Sequence, residues 1–416
     1  MFKLFKNIKP SVSLVTLLIL ATAVGFEKTA CSSFDAVNSY GSSPVLNKQK
    51  TSNGYVLISP FSQKSEKGEK NKIYLTDSYG REVKSWEVES GVFYSVLKPN
   101  GNLVVSQQKD LAGGKTGIIQ EQDWNNNIVW EYKNEEMHHD FKVLPNDNIA
   151  LTLWKEMPTE LAVKIKGGVA GTEPKTGILG DRLIEVDNNG KEVWSWAAYE
   201  HLDPILDPFP DYSARTAWTM INGFSYLPKD PIEGKEAYLL SLRVINKLII
   251  VRKEDGQIIW KSPEGMVSGQ HDPTILPNGN ILVFNNNIGE IYNTPPAGSN
   301  ILEINPKTNE VVWKLENGHK GLENNRFFSY LVGGAQRLSN GNTFVSDGQH
   351  GHLFEVTPDK ELVWDLENPF LTSKTGIWPN NAMFKAKKYT DEDVKWPEKL
   401  SSSKPLSGEI CEKLGR

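Results

Sequence analysis

Two short patterns of apolar and polar residues alternate along this chain. In the first, a polar turn precedes a few mostly apolar residues and then a tryptophan, which occurs at Trp86, Trp130, Trp194, Trp260, Trp313 and Trp364. In the second, two apolar runs flank a turn such as Pro-Asn-Gly-Asn, as at residues 97–105 and 276–284. Because Asn-Gly between strand-like runs is a strong hairpin signal, the two patterns together predict four strands per period.

These four-stranded units predict an all-β fold, a six-bladed β-propeller. Units of four strands that repeat about every 50 residues are typical of propeller blades around a central channel. The blade that contains Trp86 lacks an innermost strand, and we expect residues 381–389 to supply it, so that N- and C-terminal strands close the last blade. The predicted propeller spans residues 50–390 and is followed by a C-terminal tail at 391–416. The repeated tryptophans are expected to pack between neighbouring blades.

The N-terminus has the pattern of a secretory signal. Three lysines precede an apolar run at residues 12–26, which is too short to span a membrane. We therefore interpret residues 1–30 as a signal peptide and leader, and predict an extracytoplasmic location, periplasmic or secreted. No later stretch is apolar enough to span a membrane. Cys31 is either a lipid-anchored tether, although the residues before it fit that motif poorly, or a disulfide partner of Cys411.

Composition and charge exclude several classes of protein. The 416 residues are 38% hydrophobic and 23% charged, which excludes a disordered chain or a coiled coil. The formal net charge is −5, so the basic surface of a nucleic-acid-binding protein is not expected. Two cysteines are too few for a zinc site of the multi-cysteine kind. We expect neither a bound metal nor a cofactor.

The predicted connections differ in length between the two faces of the propeller. The hairpin turns on one face are short, whereas the connections at 155–180, 197–217 and 314–332 are long and share the other face. Long loops on a rigid scaffold are where binding and catalysis usually take place. The mouth of the channel on this second face is therefore the predicted functional site.

Polar residues occupy one repeat position at this mouth in three successive blades. His139, Asn222 and His271 each stand six positions before the turn of their blade. Because the innermost strands line the channel, these side chains are predicted to converge, and Arg243 should join them from the end of the adjoining strand. The alternative is a structural role, in which the histidines satisfy a polar network and Asn222 caps a turn or hydrogen-bonds to the backbone.

The other histidines are predicted to lie outside this site. His138 should point into its blade and have a structural role, because neighbouring residues of a strand face opposite ways. His319, His350 and His352 lie on loops or an outer strand, and His201 lies in a long connection above the mouth.

Several segments resemble those of bacterial arylsulfate sulfotransferases, over roughly residues 50–390. The resemblance rests on Met137-His138-His139-Asp140, Trp218 with Asn222, Ser241-Leu242-Arg243, Gly269-Gln270-His271-Asp272 and Gly333-Gly334-Ala335-Gln336-Arg337-Leu338. Members of this family are secreted six-bladed propellers that move a sulfuryl group between phenols without a nucleotide donor, and a channel histidine is transiently sulfated.

The resemblance implies a role for each residue at the mouth. His271 would be the nucleophile, and His139, Asn222 and Arg243 would surround the sulfuryl oxygens. Arginine suits this task because its planar fork contacts two oxygens and stays charged. His139 would also protonate the departing phenoxide and deprotonate the acceptor phenol.

The partners implied by this reading are an aryl sulfate ester and a phenol. A phenol-binding site needs aromatic or apolar walls, and the candidates are Phe93 at the rim and Phe209 and Tyr212 in the overhanging connection.

One position departs from the family pattern. The element that reads Trp-x-His-x-Asn in the family has Met220 in place of its histidine, and a thioether neither donates strongly nor carries charge. Three hypotheses therefore stand: a sulfotransferase, a non-catalytic propeller that binds an anionic or aromatic ligand or a surface partner, and a metal- or quinone-dependent oxidoreductase. The channel offers few carboxylates for a hard cation, which disfavours the third.

Overall fold

The computed structural model describes residues 47–62, 70–108, 114–288, 298–316, 327–372 and 378–401. The predicted signal peptide, the tether or disulfide at Cys31 and Cys411, and His319 lie outside the described residues. Among the residues that are described, no helix has the length and apolar character needed to cross a membrane.

In the described part of the chain, six antiparallel four-stranded sheets form the blades of a β-propeller, as the repeats predict. Blade 1 contains β1 (Tyr55–Ile58), β2 (Asn71–Thr76) and β3 (Glu82–Val88). Blade 2 contains β4 (Gly91–Leu97), β5 (Leu103–Gln108), β6 (Ile118–Gln122) and β7 (Ile128–Lys133). Blade 3 contains β8 (Met137–Val143), β9 (Ile149–Glu156), β11 (Leu179–Val186) and β12 (Glu192–Ala197). Blade 4 contains β14 (Ile221–Leu227), β15 (Ala237–Leu242), β16 (Lys247–Arg252) and β17 (Ile258–Lys261). Blade 5 contains β18 (His271–Ile275), β19 (Ile281–Asn285), β20 (Asn300–Asn305) and β21 (Glu310–Leu315). Blade 6 contains β22 (Gly334–Arg337), β23 (Thr343–Asp347), β24 (His352–Val356) and β25 (Leu362–Glu367).

The C-terminal end of the chain completes blade 1. Strand β26 (Lys387–Tyr389) pairs antiparallel with β1 as its innermost strand, with Tyr389 opposite Tyr55. The predicted closure by N- and C-terminal strands is therefore present, although this strand is shorter than the expected 381–389. Beyond it, the described part of the predicted tail packs on the propeller, where the Trp396 ring lies 5.3 Å from that of Tyr55.

The repeated tryptophans join each blade to the next one. Every indole Nε1 donates a hydrogen bond to the turn between the third and fourth strands of the following blade, and the last blade returns to the first. The pairs are Trp86 to Asp123, Trp130 to Asn188, Trp194 to Lys253, Trp260 to Asn309, Trp313 to Pro358 and Trp364 to Ser78. Trp86, Trp260 and Trp364 are buried, whereas Trp130, Trp194 and Trp313 are partly buried. A large ring packed between blades with its polar atom satisfied explains why one tryptophan recurs in every blade.

The second repeat is explained by a side-chain contact within the blade. The last asparagine of the hairpin turn donates its amide to a glutamate on the third strand at 2.6–2.7 Å, in the pairs Asn102–Glu121, Asn280–Glu303 and Asn342–Glu355. The turn is thereby held against its own sheet.

The long connections of blade 3 form an additional layer on the face with the long loops. They contain helices α1 (Thr159–Ala162) and α2 (Ala198–His201) and strands β10 (Gly167–Val169) and β13 (Phe209–Ala214), which pair in parallel. The layer packs on a core cluster shared by blades 3 and 4.

Candidate active site

The innermost strands of blades 3, 4 and 5 begin with a β-bulge at the channel mouth. Three residues other than glycine adopt left-handed backbone conformations there: His139 and Met220, each with φ of 50°, and Asp272 with φ of 51°. Bulges re-aim side chains and are common beside active sites, and such φ values store strain of about 1–3 kcal/mol each. The simple alternation of a strand therefore does not hold at this mouth.

His271 has one ring nitrogen held by acceptors and the other left open. Its Nδ1 lies 2.8 Å from Oδ1 of Asn286 and 3.1 Å from the Gly269 carbonyl oxygen. The Asn286 amide is itself oriented, because its Nδ2 donates to the carbonyls of Ser329 and Val332. Nδ1 therefore carries the proton, and Nε2 presents a lone pair.

The lone pair of His271 is buried. The side chain has no exposed surface, and Nε2 has no hydrogen-bond partner among the described residues. Burial, followed by the positive charge of Arg243, lowers the pKa of His271 to about 3. The imidazole is thus neutral over the whole physiological pH range.

His139 lies close to His271 around a shared aromatic ring. The Phe384 ring is 6.1 Å from the His271 ring and 6.4 Å from the His139 ring, and Phe93 meets His139 edge-on at 6.2 Å. Burial and the neighbouring charges of His138, His271 and Arg243 hold the pKa of His139 well below its usual value.

Gly114 packs directly on the His139 imidazole. A Cβ atom at this position would lie 2.6 Å from Cε1 and Nε2 of the ring, and its φ of 74° also favours glycine.

Arg243 approaches the same place from the end of β15. Its main-chain N–H donates to the Met220 carbonyl at 3.1 Å, so the antiparallel pairing expected from the sequence positions it. Its guanidinium donates to the Tyr330 carbonyl, and its charge lowers the pKa of both His139 and His271.

Asn222 positions the peptide bond that precedes His271. Its Nδ2 donates to the Gln270 carbonyl at 2.9 Å, and Oγ of Ser241 donates to the same oxygen at 2.9 Å. Two side chains of blade 4 therefore hold the start of β18 in blade 5.

The three aromatic candidates have different surroundings. Phe93 lies beside His139, as described above. Tyr212 is connected to the turn before His271, because its hydroxyl accepts from Asn246, whose Oδ1 accepts the Gly269 N–H. Phe209 differs from the expectation: it is 1% exposed in the core cluster of blades 3 and 4, because the strand that contains it folds inwards onto that core.

The closing segment places two unpredicted residues in the channel. Phe384 lies beside both imidazoles. Lys385 Nζ lies 5.2 Å from the Phe384 ring, 2.6 Å from Asp272 and 3.1 Å from Asp140. The sequence predicted a closing strand here, yet it contained no pattern that told which of its side chains would face the channel.

His138 is buried in its blade but contacts the site. Its ring stacks on Trp154 at 4.2 Å, and its Nδ1 lies 2.9 Å from Nδ1 of His139. The sequence predicted that His138 points into its blade. It did not predict the contact with His139, because the bulge turns both histidines towards each other.

The remaining described histidines have partners elsewhere. His350 contacts Asp347, His352 contacts Asp365, and His201 stacks on a tryptophan. The described residues contain no group of three or more His, Cys, Asp or Glu that could hold a metal ion.

The depressed pKa of His271 predicts acid-dependent stability. Between its unfolded pKa of about 6.5 and its folded pKa of about 3, only the unfolded chain binds this proton, so the free energy of unfolding falls as the pH falls below 6.5. The free energy of unfolding should therefore fall between pH 7 and pH 5 by about 2 kcal/mol less in His271→Gln than in the wild-type protein. Urea unfolding at the two pH values measures this, and equal losses would contradict it.

The chain is similar in structure to several solved proteins. Three similar solved structures are a Bacteroides caccae protein of unknown function (12% identity, 80% of this chain and 98% of that chain, TM-score 0.49), a Myceliophteria thermophila Cps50 (Swd1) β-propeller domain (12%, 77% and 87%, 0.43), and a catalytically inactive Staphylococcus aureus virginiamycin B lyase with quinupristin (13%, 78% and 87%, 0.39). A search of curated proteins gave no match.

The family match covers most of the propeller. The sequence profile described as Arylsulfotransferase (ASST) matches residues 95–369, about two thirds of the chain, and this range includes His139, Arg243 and His271. The chain therefore belongs to the arylsulfotransferase (ASST) family.

Proposed function

We propose that the protein transfers a sulfuryl group from an aryl sulfate ester to a phenolic acceptor through a covalent intermediate on His271, without a nucleotide donor. The observation that supports this most strongly is the state of the His271 ring. Nδ1 is held as a donor, burial keeps the imidazole neutral, and Nε2 has a free lone pair beside a guanidinium. A neutral imidazole of fixed tautomer is a competent nucleophile.

The first half-reaction breaks the bond between the phenolic oxygen and sulfur. Nε2 of His271 attacks sulfur, the N–S bond forms, and the electron pair of the broken bond leaves with the phenoxide. The imidazole keeps its Nδ1 proton, so the product is a sulfated imidazolium that is neutral overall, and the negative charge passes to the phenolic oxygen, which His139 protonates. In the second half-reaction a phenolic oxygen attacks sulfur, and His271 returns to its starting form.

Arg243 is the side chain we assign to the sulfuryl oxygens. Its charge lies close to both imidazoles, and a guanidinium fork matches two oxygens of a sulfate. Phe93 and Phe384 supply apolar surface for an aromatic ring at the same place. His139 is the proposed acid and base for the phenolic oxygen.

The function is tested with purified protein, 4-nitrophenyl sulfate and phenol as the acceptor. We expect release of 4-nitrophenolate that depends on phenol, and a transient mass increase of about 80 Da on a peptide that contains His271, as covalent catalysis requires. Binding of the aryl sulfate without phenolate release or a mass increase would instead support the binding hypothesis.

Met220 gives a separate prediction about the rate. A histidine there would add a donor near Arg243, whose N–H contacts the Met220 carbonyl, and one preorganised donor is typically worth about 10²–10³ in rate. We expect Met220→His to raise kcat for 4-nitrophenyl sulfate by at least about 10-fold, and histidine also tolerates the left-handed backbone. Met266→His, at a partly buried methionine in the connection between blades 4 and 5, is the matched control. An unchanged kcat in Met220→His would show that position 220 contributes no donor.

The extracytoplasmic location stays a proposal. It rests on the apolar run at residues 12–26, and appearance of the protein in the periplasmic or culture fraction, with the signal peptide removed, is the expected result.

A further inference from the structure

We propose that Asp181, His138 and His139 form a buried proton relay that holds the proton exchanged between the departing phenoxide and the acceptor phenol. This inference rests on the proposed function and deepens it. His139 would contact the phenolic oxygen, whereas His138 would act through His139.

The three side chains form one chain of contacts from the channel into blade 3. Nδ1 of His138 lies 2.9 Å from Nδ1 of His139, and Nε2 of His138 lies 3.0 Å from Oδ1 of Asp181. The side chains of His138 and Asp181 have no exposed surface. Stacking on Trp154 at 4.2 Å keeps the His138 ring in this orientation.

Asp181 is positioned from the neighbouring blade. Oδ1 accepts the N–H of Ile221 at 3.1 Å, and Oδ2 accepts the hydroxyl of Thr219. Oδ1 lies off the axis of the Nε2–H bond of His138, so this contact is an electrostatic one rather than an aligned hydrogen bond. A carboxylate in that position stabilises His138 most when the imidazole is cationic.

The contact between the two Nδ1 atoms links the tautomers of the histidines. One hydrogen lies between them, so a neutral His138 that keeps its proton on Nε2 accepts from His139, and His139 then presents a lone pair at its own Nε2. When a proton arrives at Nε2 of His139, the hydrogen between the rings moves to His138. His138 becomes the cation, and His139 is neutral again with its proton on Nε2.

The surroundings of the two rings determine where the positive charge rests. His139 faces Arg243 and His271, and the charges of Arg243, His138 and His271 together with burial hold its pKa well below the usual value. His138 faces the Asp181 carboxylate. The relay therefore moves the charge away from the guanidinium and next to an anion.

The proton balance of the cycle is closed. The acceptor phenol gives its proton to Nε2 of His139 as its oxygen attacks sulfur, and the relay stores that proton as the His138 cation opposite Asp181. Each turnover therefore starts with this proton stored. Nε2–H of His139 protonates the departing phenoxide, and the hydrogen between the rings returns from His138 to Nδ1 of His139. No co-reactant is needed.

The dependence of the rate on the leaving group distinguishes a relay from a structural role. A nitro group makes 4-nitrophenoxide a weak base that departs unassisted, whereas phenoxide, the base of a phenol with a pKa of about 10, needs a proton. In His138→Asn, whose amide can still donate to His139 but cannot take up a proton, we expect sulfation of His271 by phenyl sulfate to slow about 10²-fold. Sulfation by 4-nitrophenyl sulfate should slow by less than about 5-fold.

Two further variants complete the test. Asp181→Asn should show the same selective loss, since the stored cation loses its partner. His201→Asn is the matched control, because His201 also stacks on a tryptophan, Trp196 at 5.2 Å, but belongs to the connection after blade 3. It should leave both rates unchanged.

The outcomes separate the relay from the proposed function. An equal loss with both donors in His138→Asn, while the wild-type protein is sulfated, would overturn the relay and leave the function in place. If the wild-type protein is never sulfated, the proposed function itself is wrong.

In that case a measurement on the folded wild-type protein still tests the contact between His138 and His139. Nitrogen-15 NMR of the imidazoles should show a scalar coupling between Nδ1 of His138 and Nδ1 of His139, transmitted through the hydrogen that the two rings share. Absence of that coupling would overturn the relay.

Discussion

Replacing His271 with alanine should abolish sulfuryl transfer. Loss of the attacking Nε2 removes the covalent route, and knocking out a nucleophile typically lowers kcat by about 10⁴-fold or more. Phenolate release from 4-nitrophenyl sulfate and the mass increase on the His271 peptide should disappear together. His350→Ala is the matched control, because His350 is half-exposed and its ring contacts Asp347.

Chemical rescue separates loss of the nucleophile from loss of the fold. The substitution removes a fully buried ring, so the space it leaves can admit free imidazole. Added imidazole should restore phenolate release without restoring the mass increase on the protein. Full activity of His271→Ala with a sulfated residue elsewhere would show that another side chain is the nucleophile.

Replacing Lys385 with methionine should destabilise the propeller by about 3–5 kcal/mol, the usual result of removing one partner of a buried ion pair. Lys385 is 1% exposed in its side chain, and Nζ lies between Asp140 of blade 3 and Asp272 of blade 5. Methionine fills a similar volume but leaves carboxylates in the channel without this cation. The midpoint of guanidinium unfolding measures the effect.

Two companion variants show whether the uncompensated charge is the cause. Asp272→Asn added to Lys385→Met should recover much of the lost stability, because the carboxylate whose ion pair is removed is then neutral. Lys50→Met breaks the exposed pair of Lys50 with Glu361 and should change stability by less than about 1 kcal/mol. A neutral effect of Lys385→Met would mean that Lys142, 2.7 Å from Asp140, suffices alone.

The fold follows from sequence because the signals that specify it are local and repeated. Each tryptophan stands at one place after its turn, and in the structure each Nε1 donates to the corresponding turn of the next blade. The Pro-Asn-Gly-Asn turns specify hairpins through the backbone preferences of glycine and asparagine. Even the split blade was predictable, because a ring of six needs a strand beside β1.

The candidate site was predictable only in part. Equal repeat positions and antiparallel pairing are enough to bring His139, His271 and Arg243 to one mouth, since a closed ring presents equivalent positions to its axis. The bulges were not readable, and they turn His138 towards His139. Phe209 illustrates the same limit, because a long connection has no repeat that tells whether its aromatic rings face the mouth or the core.

The sequence by itself determined the blades, their number, the tryptophan contacts between them and the strand that closes the ring, since these depend on residues close in the chain or equivalent in the repeat. Only the tertiary structure decided the chemistry of the channel. Asn286 contacts His271 from just beyond the end of β19. Lys385, in the segment that closes blade 1, bridges Asp140 of blade 3 and Asp272 of blade 5. Asp181 lies opposite His138 within blade 3. Each contact joins residues that have no common spacing, and their ionisation states depend on burial, which exists only once the ring has closed.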